Sequence, residues 1–142
     1  MLSLFLVALA SATLLPGGSE IWLARLWCSG EPALLLWAVA SAGNTLGSLV
    51  NVGLGRYARH FQERRWFPVS RQGLVQAERW YRRAGEWSLL ACWAPLVGDP
   101  LTVLAGVLRL PWWRAILWIS VAKGTRYALV LWLAEAWLAP WC

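Results

Sequence analysis

The first apolar stretch of this chain is interrupted too early to cross a membrane, and that interruption limits every fold open to it. Leu2 to Leu15 is apolar, but 14 residues of helix reach only about 21 Å at about 1.5 Å per residue. A bilayer's hydrocarbon core is about 30 Å thick. Pro16-Gly17-Gly18 then breaks the helix, and Ser19 to Ser29 supplies a second arm that is shorter still. Two short arms around such a break read as a re-entrant hairpin, with its tip and the Glu20 carboxylate inside the membrane. Broken backbone at that depth is tolerated only where protein or a water-filled cavity surrounds it. That condition by itself predicts a site.

Further along, Ala94-Pro95-Leu96-Val97-Gly98-Asp99-Pro100 repeats the device. In both stretches an acid follows a proline by four positions, with glycine between. Pro16 and Pro95, Glu20 and Asp99, and Pro32 and Pro111 are each 79 residues apart. A fixed offset across three pairs reads as an internal duplication. Glu86 to Ala94 and Leu101 to Arg109 are the arms of the second hairpin. Asp99-Pro100 also has the form of an N-cap acid with proline at the first helical position, so capping alone is one account of Asp99.

Each hairpin is followed by a run long enough to span, Ala33 to Tyr57 after the first and Pro111 to Trp137 after the second. The expected fold is therefore an all-α membrane protein in one domain, 1–142. It comprises two inverted repeats, 2–57 and 86–139, each a re-entrant helical hairpin plus a transmembrane helix. Residues 58–85 link them as a cytoplasmic amphipathic helix. There Leu74, Ala77, Tyr81 and Ala84 share one face and arginines occupy the rest, as in a helix lying on an anionic leaflet.

Composition excludes a soluble domain: 59% of residues are hydrophobic, 14% are charged and the mean hydropathy is +0.50. Thirteen tryptophans fit the membrane interfaces, where Trp is enriched. The net charge of +6 does not point to nucleic acid, because the basic residues interleave with apolar spans as the positive-inside rule requires. Met1 to Ala12, with Ala10-Ser11-Ala12 as a cleavage site, could pass for a signal peptide, but no Lys or Arg precedes Arg25. The three cysteines have no metal-ligand spacing and form no even-numbered set, so Cys28 and Cys92 read as small core residues. His60 stands among arginines as a solvated bystander.

On the first long run, Gly43, Gly47, Asn51 and Gly55 recur at four-residue intervals, a spacing that lets another helix backbone approach closely. Asn44 and Asn51 need partners if buried in a membrane. On the second, Lys123 and Arg126 lie deep. A charge at helix centre costs about 2.5–3.5 kcal/mol on insertion scales, so they too need partners. Glu20 and Asp99 are the deep acids available.

These residues carry a likeness. Ser11 to Glu20, Gly43-Asn44-Thr45-Leu46-Gly47 with Asn51 and Gly55-Arg56, Pro95 to Asp99, and Lys123-Gly124-Thr125-Arg126-Tyr127 together resemble the small YqaA-type branch of the DedA superfamily, also called SNARE-associated or VTT-domain proteins. The resemblance covers nearly the whole chain. It implies paired re-entrant hairpins and a role in lipid translocation or membrane homeostasis, driven by protons in some members. The broader family resembles Glu-x-x-x-Pro-x-Pro-x-Glu in its first hairpin. Here Pro16 and Glu20 match, while Ala12 and Gly18 stand at the first acid and the second proline. Cys92 and Gly98 stand where the family brackets its second-hairpin proline with arginines.

The leading functional expectation is a carrier or scramblase for an anionic, phosphate-bearing lipid in a bacterial inner membrane. Helices starting at Ser19 and Asp99 would aim two positive dipole ends at one depth. Glu20, Asp99, Lys123, Arg126, Asn44 and Asn51 would bind or couple. Pro16, Gly17, Gly18, Ser19, Pro95, Gly98 and Pro100 would shape the tips, and Gly43, Gly47 and Gly55 would pack helices. No metal or other cofactor is expected, and the glycine stripe would also suit a homo-oligomer. A non-transporting scaffold is the alternative. An enzyme is not expected, since Ser19 has no histidine close by and no Gly-x-Ser-x-Gly elbow. The positive-inside rule places 58–85 in the cytoplasm and both termini outside.

Overall fold

The computed structural model of the chain describes residues 1–13, 18–57, 71–93 and 98–142. Helix α1 (Leu2–Thr13) is followed by α2 (Gly18–Cys28), α3 (Ala33–Tyr57) and α4 (Arg71–Ala84). A 3₁₀ segment (Gly85–Trp93), α5 (Gly98–Val107), α6 (Trp112–Leu138) and a terminal 3₁₀ turn (Ala139–Trp141) complete the order. Every described element is helical. Pro16, Gly17, Pro95 and His60 lie outside the described residues.

Helix α3 has the bounds its sequence predicts. Pro32 stands just before it, and the Pro32 carbonyl accepts from the Leu36 N–H at 3.0 Å. Two features of the later arms differ from expectation. Helix α5 begins at Gly98, so Asp99 stands inside the first turn and not at the cap. The first arm of the second half is 3₁₀ and not α-helix. Gly85, at φ 62°, turns the chain out of α4 immediately before it, a conformation glycine adopts without strain.

Helices α3 and α6 are long and apolar enough to cross a membrane. Only 33% and 28% of their most apolar windows are buried inside the protein, the reverse of a soluble core helix. On α6, Trp113, Leu117, Val121, Leu129 and Trp132 all face outward. The two helices run antiparallel. At one end Arg56 Nη2 donates to the Leu110 carbonyl at 2.6 Å and its guanidinium stacks over Trp112, 4.9 Å from the ring centre. Nearer the other end, Trp37 Nε1 donates to the Gly124 carbonyl at 2.8 Å.

Helix α3 is the spine. A Cβ added at Gly43 would stand 2.6 Å from the Phe5 carbonyl oxygen, and one at Gly47 would stand 2.5 Å from that of Leu9. Close backbone approach is therefore what these glycines supply, and α1 runs parallel to α3 along them. Helix α5 crosses near the other end of α3, where Gly55 meets the Val103 carbonyl and Gly106 meets that of Val52. One apolar cluster gathers Val52, Leu89, Cys92, Leu101, Ala115 and Ile119. A second gathers Leu4, Leu23, Leu36, Ala40, Tyr127 and Leu131.

The cysteine expectation is half corrected. Cys92 is a buried core residue. Cys28 is exposed at the end of α2 and forms a disulfide with Cys142. Spacing could not reveal this pair, because its members are separated by 114 residues.

Candidate functional site

The polar side chains brought together at depth lie where α2 meets α6. Glu20 is the third residue of α2, in the first turn, where the helix dipole favours a negative charge. One carboxylate oxygen, Oε1, accepts from Arg126 Nη2. The other, Oε2, accepts from Ser19 Oγ at 3.3 Å. Ser19 Oγ in turn accepts from the Tyr127 hydroxyl at 2.8 Å. The result is a chain of donors, Tyr127 to Ser19 to Glu20, closed from the other side by Arg126. Ser19 and Tyr127 are buried, whereas the side chains of Glu20 and Arg126 keep 21% and 18% exposure. The pair is therefore reachable from the protein surface.

Local sequence explains the placement. Residues 123 and 127 are one helical turn apart on α6, so Lys123 and Tyr127 share its inward face, with Arg126 at the flank. The start of α2 adjoins α1 at Gly18, where an added Cβ would lie in ordinary contact with Ser11 Oγ at 3.9 Å.

Lys123 is 2% exposed. It lies between the two apolar clusters, with Ile119 of one and Tyr127 of the other a turn to either side. No ion pair involving Lys123 is formed among the described residues. The Asp99 side chain lies outside them.

Asn44 and Asn51 are buried, and each ties α3 to α1. Asn44 Nδ2 donates to the Ala8 carbonyl and Asn51 Nδ2 to the Ala12 carbonyl, both at 2.8 Å. Ala12 is in the last turn of α1, where helix carbonyls lack intrahelical donors, so Asn51 supplies one. The amide oxygens of both, and Ser48 Oγ between them, have no hydrogen-bond partner among the described residues. The three fall on successive turns of α3, along the face that packs on α1.

Of the residues expected at the site, Glu20, Ser19 and Arg126 are joined directly, and Lys123 lies one turn from Tyr127. Asn44 and Asn51 bond to α1 instead. Gly43, Gly47 and Gly55 pack helices. Of the expected tip residues, Pro16, Gly17 and Pro95 lie outside the described residues. Sequence reasoning missed the role of Tyr127 and Ser48. The spacing of Ile119, Lys123, Tyr127 and Leu131 on one face could have flagged the tyrosine. Among the described residues no three His, Cys, Asp or Glu side chains converge as metal ligands.

No protein-family model matches the chain, and no solved structure matches it. Named proteins do. The inner membrane protein YqaA of Escherichia coli is 39% identical over 132 residues, covering 92% of this chain and 87% of that protein. The Shigella flexneri protein of the same name matches to the same extent. A Haemophilus influenzae protein is 34% identical over 146 residues, covering 95% of this chain and 87% of its own length. With that identity over nearly its full length, the chain belongs to the YqaA family of bacterial inner membrane proteins.

Proposed function

We propose that this protein is a DedA-like carrier or scramblase for an anionic, phosphate-bearing lipid, coupled to an ion and contributing to membrane homeostasis. The observation that carries the reading is Lys123: a cation 2% exposed, on an apolar spanning helix, with no acid paired to it among the described residues. Holding such a charge costs about 2.5–3.5 kcal/mol, which a structural role alone does not require. A phosphate headgroup would offset that cost. Arg126, one turn away, is held by Glu20. Protonation of Glu20 would free the guanidinium, giving headgroup and proton a shared dependence on one pair.

In this reading α1 with α2, and the 3₁₀ segment with α5, are re-entrant hairpins of two inverted repeats. Their shortness supports it, at 12, 11, 9 and 10 residues against 25 and 27 for α3 and α6. Helix α4 lies on the cytoplasmic leaflet as an amphipathic element, and both termini are outside. A shallow, mostly apolar groove between α3 and α6, lined by Trp37, Leu46 and Leu49, would suit an acyl chain of such a lipid.

A scaffold is the second reading. It is favoured by the saturation of Glu20, both of whose oxygens already accept hydrogen bonds. Reconstitution separates the two. Vesicles containing the protein should move labelled phosphatidylglycerol between leaflets, and Lys123→Met should abolish that movement while the protein stays folded. Wild-type flux equal to that of empty vesicles, across anionic lipids and pH gradients, refutes the transport reading. Terminal reporters and cysteine accessibility at position 70 test the orientation. A cytoplasmic C-terminus would defeat it.

A further inference from the structure

We propose that the Cys28–Cys142 disulfide is made on the extracytoplasmic side of the membrane and acts as a covalent clamp that holds α2 against α6 over the Glu20–Arg126 pair. The two Cα atoms are 5.0 Å apart, within the usual range of about 4.4–6.8 Å for a bridge. Both cysteines are exposed, so an enzyme can reach them. The terminal 3₁₀ turn folds the chain end back, with the Cys142 N–H donating to the Leu138 carbonyl at 3.0 Å.

The position of the bond along the long helices assigns its compartment. It lies beyond the C-terminal end of α6, whereas Arg56, Leu110 and Trp112 gather at the N-terminal end. A helix of 27 residues separates them, or about 40 Å at about 1.5 Å per residue. That is more than a hydrocarbon core. The arginine-rich section follows Arg56 at one end, where positive charge marks the cytoplasm. The disulfide occupies the other, and disulfides persist on the oxidising side of an inner membrane. Charge and sulfur chemistry thus assign the two faces independently, and the inference rests on the orientation proposed above.

The clamp follows from what α2 touches. Its first turn is tied to α6 through Glu20 with Arg126 and Ser19 with Tyr127. Its last residue is Cys28, bonded to the chain end just past α6. Held at both ends, α2 cannot swing away from Arg126 while the bond is intact. Formation is a thiol–disulfide exchange with an extracytoplasmic oxidoreductase. One thiolate attacks its disulfide to give a mixed disulfide, and the second cysteine displaces it. Two protons and two electrons leave this chain, and the donor's disulfide becomes a dithiol.

Maleimide counting on the full-length, denatured protein tests the bond. Only Cys92 should react without reductant, and all three cysteines should react after reduction. Cys28→Ser should react twice in both conditions, and protein from cells lacking extracytoplasmic thiol oxidation should react three times. Three additions to wild-type protein from oxidising cells, or an equal bond in both strains, overturns the assignment. Hydrogen exchange tests the clamp: amides of α2 should exchange about tenfold faster in Cys142→Ser, a change at an exposed residue, as a locally opened element does. Unchanged rates in α2 overturn the clamp. Neither measurement involves lipid flux, so a failed carrier reading and a failed clamp are told apart.

Discussion

Arg126→Met should destabilise the protein far more when Glu20 is present than when it is Gln. The two side chains keep only 18% and 21% exposure, so neither charge is well hydrated once its partner is gone. Removing one member of a buried pair typically costs about 3–5 kcal/mol, mostly because the other charge is stranded. Arg126→Met strands a carboxylate that retains only the Ser19 hydroxyl, so we expect about 3 kcal/mol. Glu20→Gln should cost about half as much, since its amide oxygen can still accept from Arg126. With both charges removed, the double variant should cost about 2 kcal/mol less than the sum of the singles. For a chain of this length, 1 kcal/mol moves Tm by about 2–4 °C, so Arg126→Met should fall by about 6–12 °C. Thermal unfolding in detergent, followed by size-exclusion recovery, gives the four values of the cycle. Additivity within about 0.5 kcal/mol would refute the pairing.

Substitutions at three further positions test the frame around the pair. Gly106→Ala forces a Cβ into the Val52 carbonyl, backbone against backbone, and should cost about 1–3 kcal/mol in the same thermal assay; an unchanged Tm would contradict the close approach of α5 to α3. Asn51→Leu withdraws the donor to the Ala12 carbonyl and should cost about 1–2 kcal/mol, loosening α1 in hydrogen exchange. Asp99→Asn should leave stability within about 0.5 kcal/mol of wild type while Asp99→Ala lowers it by about 1 kcal/mol, if first-turn hydrogen bonding is its structural role. Loss of lipid flux in the stable Asp99→Asn variant would assign the acid to transport as well.

The long elements were legible because their limits are chemical. Pro32 and Pro111 stand just outside α3 and α6, and apolar runs of that length have few other uses. The glycine contacts were legible for the same reason, since small residues at four-residue spacing on an apolar helix serve backbone approach. Glu20 with Arg126 was legible only as a shortage: two deep bases, two deep acids. The partner is 106 residues away, and local pattern does not choose between Lys123 and Arg126. The Ser19–Tyr127 bond left less trace, because a tyrosine on an apolar helix resembles core until its hydroxyl finds a mate. The 3₁₀ geometry of Gly85–Trp93 left none. Its Trp, Leu, Ser and Ala residues suit both helix types, and the choice falls to packing against α6.

Each short second arm lies on the long helix of the opposite half: α2 on α6 through Glu20 and Ser19, α5 on α3 through Gly106. The contacts between the first and second parts of the sequence are thus reciprocal, each short helix closing on the other part's long one. Helix α1 covers α3 along Gly43 and Gly47, but the Gly55 end of α3 is covered only by α5, which is translated later. During synthesis the first half must wait, with Gly55 and the Arg56 side chain uncovered, until the second arrives.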